Sequence, residues 1–167
     1  MARRARMTKG LRLGLGVAGL TFLADQALKL WIVLIYDLAA RGRVAVLPGL
    51  DLVMVWNRGI SYGLFQQDGL YGRLALLALS LAACVFIIFW LRQPGTRLQA
   101  CALGLILGGA AGNAVDRAAY GAVADFVLLH AGDFEWYVFN IADAAIVVGV
   151  VLVLYGALRR NDQATAA

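Results

Sequence analysis

The sequence has one histidine, two cysteines and two prolines among its 167 residues, and only 15% of it is charged. A lone His130 leaves multi-histidine metal sites and Ser-His chemistry short of parts. Cys84 and Cys101 both fall inside apolar runs with no CxxC and no His-rich neighbour, so neither a disulfide framework nor a zinc site is expected. Internal repeats, low-complexity tracts and heptads are absent too. What fills the chain is apolar: 62% belongs to the hydrophobic set, against roughly 45–50% for an average soluble domain. The expectation is a membrane protein forming one domain over residues 1–167. The net charge of +5 does not argue for a nucleic-acid partner, because the basic residues stand at the ends of apolar segments, where membrane topology puts them.

Four stretches are long enough for the roughly 20 helical residues that cross a hydrocarbon core, at about 11–36, 70–91, 98–120 and 137–158. Arg3, Arg4, Arg6, Lys9 and Arg12 precede the first, Arg92 and Arg97 lie between the second and third, and Arg159 and Arg160 follow the fourth. The positive-inside rule then makes both termini cytoplasmic. The connection at 121–136 carries Asp125, Asp133 and Glu135 but no Lys or Arg, which suits a loop on the opposite face. The basic start resembles a signal peptide, but Asp25 and Lys29 interrupt its apolar core, so an uncleaved first helix is expected. Residues 37–69 are broken by Pro48, Gly49, Gly59 and Gly63, and "DLVMVW" is rich in β-formers. They predict a small extracytoplasmic sheet or cradle on an otherwise all-α protein.

Several polar residues sit where lipid would penalise them. Asp25 and Lys29 are four apart on one helical face and are expected to face protein or water, as a structural ion pair or a site-shaping one. In "LGLILGGAAGNAVDRAAYG", Gly104, Gly108 and Gly112 form overlapping GxxxG units that admit a neighbouring helix. Asn113, Asp116 and Arg117 share one face of that helix, where Asp116 and Arg117 are able to neutralise each other. Asp125 follows the third span, and Asn140 and Asp143 open the fourth. Two carboxyl groups meeting at one membrane boundary cannot both ionise easily, and a pair holding one proton suits peptide hydrolysis. The plainer alternative is a loop carboxylate at Asp125 and a helix-dipole carboxylate at Asp143. Ser61 with Lys29 is a weaker candidate dyad, and Trp56, Trp136 and Tyr137 suit an interfacial aromatic belt.

Taken together, "DQALK" at 25–29, "NRGISYG" at 57–63, "GGAAGNAVDRAAYGAVADF" at 108–126 and "FNIAD" at 139–143 resemble lipoprotein signal peptidase, the signal peptidase II family of membrane aspartic proteases. The resemblance implies four transmembrane helices, an extracytoplasmic β-cradle and cleavage of diacylglyceryl-modified prolipoproteins before the lipidated cysteine. It implies a bacterial inner-membrane enzyme working near the outer leaflet, with no cofactor or metal and with lipids as neighbours. It also implies that Asp125 and Asp143 are the catalytic pair. Asn57, Gly59, Asn113, Asp116, Arg117, Asn140, Ala142, Asp25 and Lys29 match positions that bind substrate or stabilise the site. A monomer is expected. Two other classes compete: a small ion-coupled transporter using Asp25, Lys29, Asp116 and Arg117 as a pathway, and a non-catalytic assembly protein using the GxxxG face.

Overall fold

The computed structural model describes residues 9–59 and 69–165. Helix α1 (Lys9–Leu30) runs into a π-helical turn (Trp31–Ile35), followed by the short α2 (Leu38–Arg41), β1 (Val44–Leu47) and β2 (Leu50–Asn57). Then come α3 (Leu70–Leu91), α4 (Arg97–Tyr120), β3 (Val123–Ala131), β4 (Phe134–Glu135) and α5 (Ile141–Thr165). Four helical segments are long and apolar enough to cross a membrane: Lys9–Ile35, Leu70–Leu91, Arg97–Tyr120 and Ile141–Arg159. The expected spans agree with these except at the fourth, which begins at Ile141 and not at 137. There the Phe139 backbone bridges to Val127, so the chain is held extended until Asn140.

Helix α4 is the central post, packed against α1, α3 and α5. Its composition explains why. A Cβ added at Gly104 would sit 2.5 Å from the Gly14 carbonyl oxygen, and one at Gly108 would sit 2.5 Å from that of Ala18. Only glycine permits that approach, so the small-residue face seats α1 and α4 in parallel. On its other side Gly109 lies against Ala142, while Gly149 of α5 lies against Ala102 and Ile106, so α5 runs antiparallel to α4. The α1–α3–α4 core is completed by Ala18, Ile87, Leu91, Ala100, Leu103 and Leu107. By contrast α3 leaves Leu74, Leu79, Val85, Phe86 and Phe89 exposed, the apolar surface that suits hydrocarbon and not water.

The sheet caps one end of this bundle, in the order β1-β2-β3-β4, with all pairs antiparallel. Pro48 and Gly49 close the β1–β2 turn, where Gly49 has φ 83°, a conformation open to glycine at a tight turn. A cradle was expected from 37–69 alone, with a loop at 121–136. That loop is a correction: it supplies β3 and β4, half of the sheet. Its first six residues are nearly all buried, so no polar–apolar alternation marks it as a strand. Gly63 and the rest of 60–68, including Ser61 of the candidate dyad, lie outside the described residues.

Candidate active site

Helix α5 begins with a reciprocal cap. Asn140 is its N-cap: the side-chain Oδ1 accepts from the Asp143 N–H at 2.9 Å, and Asp143 Oδ2 accepts from the Asn140 N–H at 3.3 Å. This is a capping box with an Asn-x-x-Asp sequence, satisfying two otherwise orphaned donors at once. It also pins Asp143 in the first turn, where the helix dipole favours its charge. The remaining Asp143 oxygen, Oδ1, accepts from Asn113 Nδ2 of α4 at 2.8 Å.

Asp125 arrives from the sheet. Its neighbour Phe126 packs with Ile32 and Leu38, so alternation along β3 turns Asp125 to the opposite face. There Asp125 is 1% exposed, its Oδ1 accepting from Asn140 Nδ2 at 2.6 Å and its Oδ2 from Asn57 Nδ2 at 3.0 Å. Asn57 reaches it because of a bulge. The β2–β3 register shifts between Leu52 and Val55, so that Val55 lies opposite Asp125 and Asn57 opposite Val123. Asn57 thereby becomes the diagonal same-face neighbour of Asp125; without the extra residue it would point to the other side of the sheet. Burial, reinforced by the nearby charge of Asp143, pushes the Asp125 carboxyl up to about 7.

Beneath this pair lies a buried ionic network. Lys29 Nζ contacts Asp25 Oδ2 and Asp116 Oδ2 at 2.9 Å each and donates to Asn113 Oδ1 at 3.0 Å. All three ammonium donors are thus used. Asp25 Oδ1 accepts the N–H of Ala142 at 3.0 Å, and Asp116 Oδ2 accepts that of Ala124 at 3.1 Å. The two acids therefore clamp the first turn of α5 and the start of β3, the two backbones that carry Asp143 and Asp125. The Gln26 amide links Asp25 and Asp116 at 3.1 and 3.0 Å. Ala142, fully buried against Gly109 and Gly112, is small where α4 and α5 meet.

The mutual neutralisation expected of Asp116 and Arg117 does not occur. One residue apart on a helix, they diverge: Asp116 turns to Lys29, and Arg117 turns to a cavity of about 230 Å³. The cavity is walled by Leu79, Ala83, Ala110, Val123 and Ile146, with Asn57, Ser80, Asn113, Arg117 and Asp143 as its polar lining. Arg117 Nη2 donates to the Gly59 carbonyl at 3.1 Å and Nη1 to that of Asn113 at 3.4 Å. The Gly59 N–H in turn donates to Asn57 Oδ1 at 2.9 Å, fixing the amide that serves Asp125. Asp25, Lys29, Asn57, Asn113, Asp116, Arg117, Asp125, Asn140 and Asp143 are thus brought together here. Gln26 and Ser80 were not foreseen; the sequence signal was a polar side chain within an apolar span, directly beside Asp25 in the case of Gln26. His130 lies elsewhere, 3.3 Å from Asp51 on the sheet.

Residues 17–159 match the peptidase family described as signal peptidase (SPase) II. A lipoprotein signal peptidase of Methylorubrum extorquens is 57% identical over 144 residues, covering 86% of this chain and 84% of that protein. One from Nitrobacter hamburgensis is 51% identical over 160 residues, covering 93% and 98%. A bacterial membrane enzyme solved by the in meso method shares the fold with a TM-score of 0.78 at 21% identity, covering 90% of each chain.

Proposed function

The chain belongs to the signal peptidase II family and is a protease, and we propose that Asp125 and Asp143 are its catalytic pair. In this reading they hydrolyse the bond that precedes the diacylglyceryl-modified cysteine of a prolipoprotein. One observation carries the proposal: the buried Asp125 and the half-buried Asp143 come from different elements and meet at Asn140, whose side-chain amide donates to Asp125 Oδ1 and whose backbone N–H donates to Asp143 Oδ2, while Asn113 donates to Asp143 Oδ1, beside a cavity of mixed polar and apolar lining that reaches Asp143. Such a pair shares one proton, so one member accepts a proton from water while the other donates to the carbonyl oxygen. The tetrahedral intermediate then collapses as the leaving nitrogen is protonated, and no covalent enzyme intermediate is needed.

Topology supports the substrate class. Arg12, Arg92, Arg97 and Arg159 stand at the bundle end away from the sheet, so the positive-inside rule makes that end cytoplasmic, with both termini. The pair then faces the outer leaflet boundary of the bacterial inner membrane, where a lipid-anchored peptide presents its scissile bond. Asn57, Gly59 and Arg117 position the cavity wall, and Asp25, Lys29, Asp116 and Ala142 hold the two catalytic backbones. The chain acts as one membrane-embedded domain and as a monomer. The ion-coupled transporter reading has less support, since Asp25, Lys29 and Asp116 are consumed by one another and by backbone N–H groups.

The test is cleavage of a diacylated prolipoprotein peptide by purified Asp125→Asn, Asp143→Asn and Asp116→Asn variants, with the unlipidated peptide alongside. Loss of turnover in the first two, with the folded protein retained, is the expected result. Near wild-type turnover in either rejects the pair, and equal rates on both peptides reject recognition of the lipid.

A further inference from the structure

The two carboxyl groups are not equivalent in their surroundings. Asp143 sits on the third residue of α5 within the capping box, at the positive end of a 25-residue helix. Asp125 sits on a strand and receives two side-chain amides, from Asn57 and Asn140. Strands have no comparable dipole. The cation is placed unequally as well. Lys29 Nζ donates at 3.0 Å to Asn113 Oδ1, and the same amide donates at 2.8 Å from Nδ2 to Asp143 Oδ1. An amide whose oxygen faces an ammonium is polarised and becomes a stronger donor. No single amide joins Lys29 to Asp125 in this way; its two donors, Asn57 and Asn140, accept nothing from the ammonium.

Resting on the catalytic pair proposed above, we infer a division of labour: Asp143 is the carboxylate that takes the proton from water, Asp125 is the acid that protonates the substrate carbonyl, and Lys29 sets this asymmetry through the Asn113 amide. As the water oxygen bonds to the carbonyl carbon, its proton goes to Asp143, the carbonyl π pair moves to oxygen, and that oxygen takes the Asp125 proton. When the C–N bond breaks, the nitrogen leaves with the proton from Asp143. The re-forming carbonyl returns the other proton to Asp125, which restores the starting state. Lys29 is a positioning residue here, since it touches neither substrate nor reacting atoms. Among the described residues, the charged groups around Asp143 are Asp25 and Lys29 from α1, Asp116 and Arg117 from α4, and Asp125 from β3, and the polar residue that α3 gives to the cavity lining is the neutral Ser80.

The pH profile of kcat/KM separates the two assignments, because its acidic limb reports the carboxyl that ionises first and its basic limb the second. It is to be measured for Lys29→Gln and for Asn113→Leu, which cuts the amide link to Asp143 while leaving the Lys29 ion pairs in place, is expected to displace the same limb in the same direction, and carries the test if Lys29→Gln does not fold. Losing the ammonium is expected to move the acidic limb up by roughly one unit, about a tenfold loss on that side, and the basic limb by less. A larger movement of the basic limb reverses the roles. A fall in rate with neither limb displaced makes Lys29 purely structural. Failure of the pair itself is separately visible as wild-type turnover in Asp125→Asn or Asp143→Asn.

Discussion

Two clusters in this protein share one plan, a single cation bridging two carboxylates, and differ in almost everything else. Lys29 joins Asp25 to Asp116 between helices, with side-chain exposures of 4%, 0% and 2%. Arg43 joins Asp51 to Glu135 across the sheet, at 45%, 7% and 51%. The sheet cluster, with His130 against Asp51, staples strands that are already hydrogen-bonded, and water screens it. The helix cluster has no water to fall back on; breaking it leaves a bare charge in a dry interior. Identical pairing chemistry therefore makes a removable staple in one place and an obligatory joint in the other, and it is the joint that holds the backbones of Asp125 and Asp143.

The sharpest way to probe that contrast begins with the carboxyl groups resting on the joint. Asp143→Asn or Asp125→Asn is expected to lower kcat by at least about 10²–10⁴-fold while leaving thermal unfolding in detergent nearly unchanged. Lys29→Ala is expected to cost about 3–5 kcal/mol of stability, read as a fall in Tm. A change no larger than that of Arg43→Gln would erase the distinction between the clusters. Gly112→Ala comes next: its new Cβ would lie 2.5 Å from Asp25 Oδ2, and such overpacking costs about 1–3 kcal/mol, with turnover falling as Asp25 shifts.

Acidity gives a smaller, graded effect. With Asp125 raised to about 7, its acid form is present below that pH, so activity is expected to fall as pH rises above about 7, approaching tenfold per unit. The linkage has the same direction. A carboxyl raised above its unfolded value binds its proton more tightly in the native state, so its stabilising contribution is complete below the usual carboxylate range and lost as pH rises through about 7. Asp51 runs the other way. Arg43 holds it below the ordinary range, so that contribution is present at neutral pH and lost on acidification. Smallest of all, Glu135→Gln is expected to change turnover by less than about twofold and Tm slightly, the latter less at high salt.

Composition and charge placement were enough to anticipate the four spans, and the motif residues that the sequence singled out lie close together in the fold. What escaped was set by contacts that have no local signature. The start of α5 looks four residues earlier in the sequence because Tyr137, Val138 and Phe139 continue the apolar run, yet pairing of Phe139 with Val127 outweighs that local pattern. Strand β3 hid because it is covered on both faces. Asp116 and Arg117 are sequence neighbours that part company because α1 offers one of them an ammonium. The bulge that brings Asn57 round to Asp125 follows from pairing between distant strands, and nothing in "DLVMVWN" announces it.

The glycine face of α4 acts as a ruler. Gly104 meets Gly14 and Val17, Gly108 meets Ala18 and Thr21, and Gly112 meets Asp25, so the marks on one helix engage those on the other once per turn. A slip of one mark, four residues, would carry Lys29 about 6 Å along the axis, beyond reach of the Asn113 oxygen it now meets at 3.0 Å. Bulkier residues there would do more than crowd the bundle. They would detune the alignment of Lys29 with the amide beside Asp143, so part of the protein's calibration is written in residues that have no side chain.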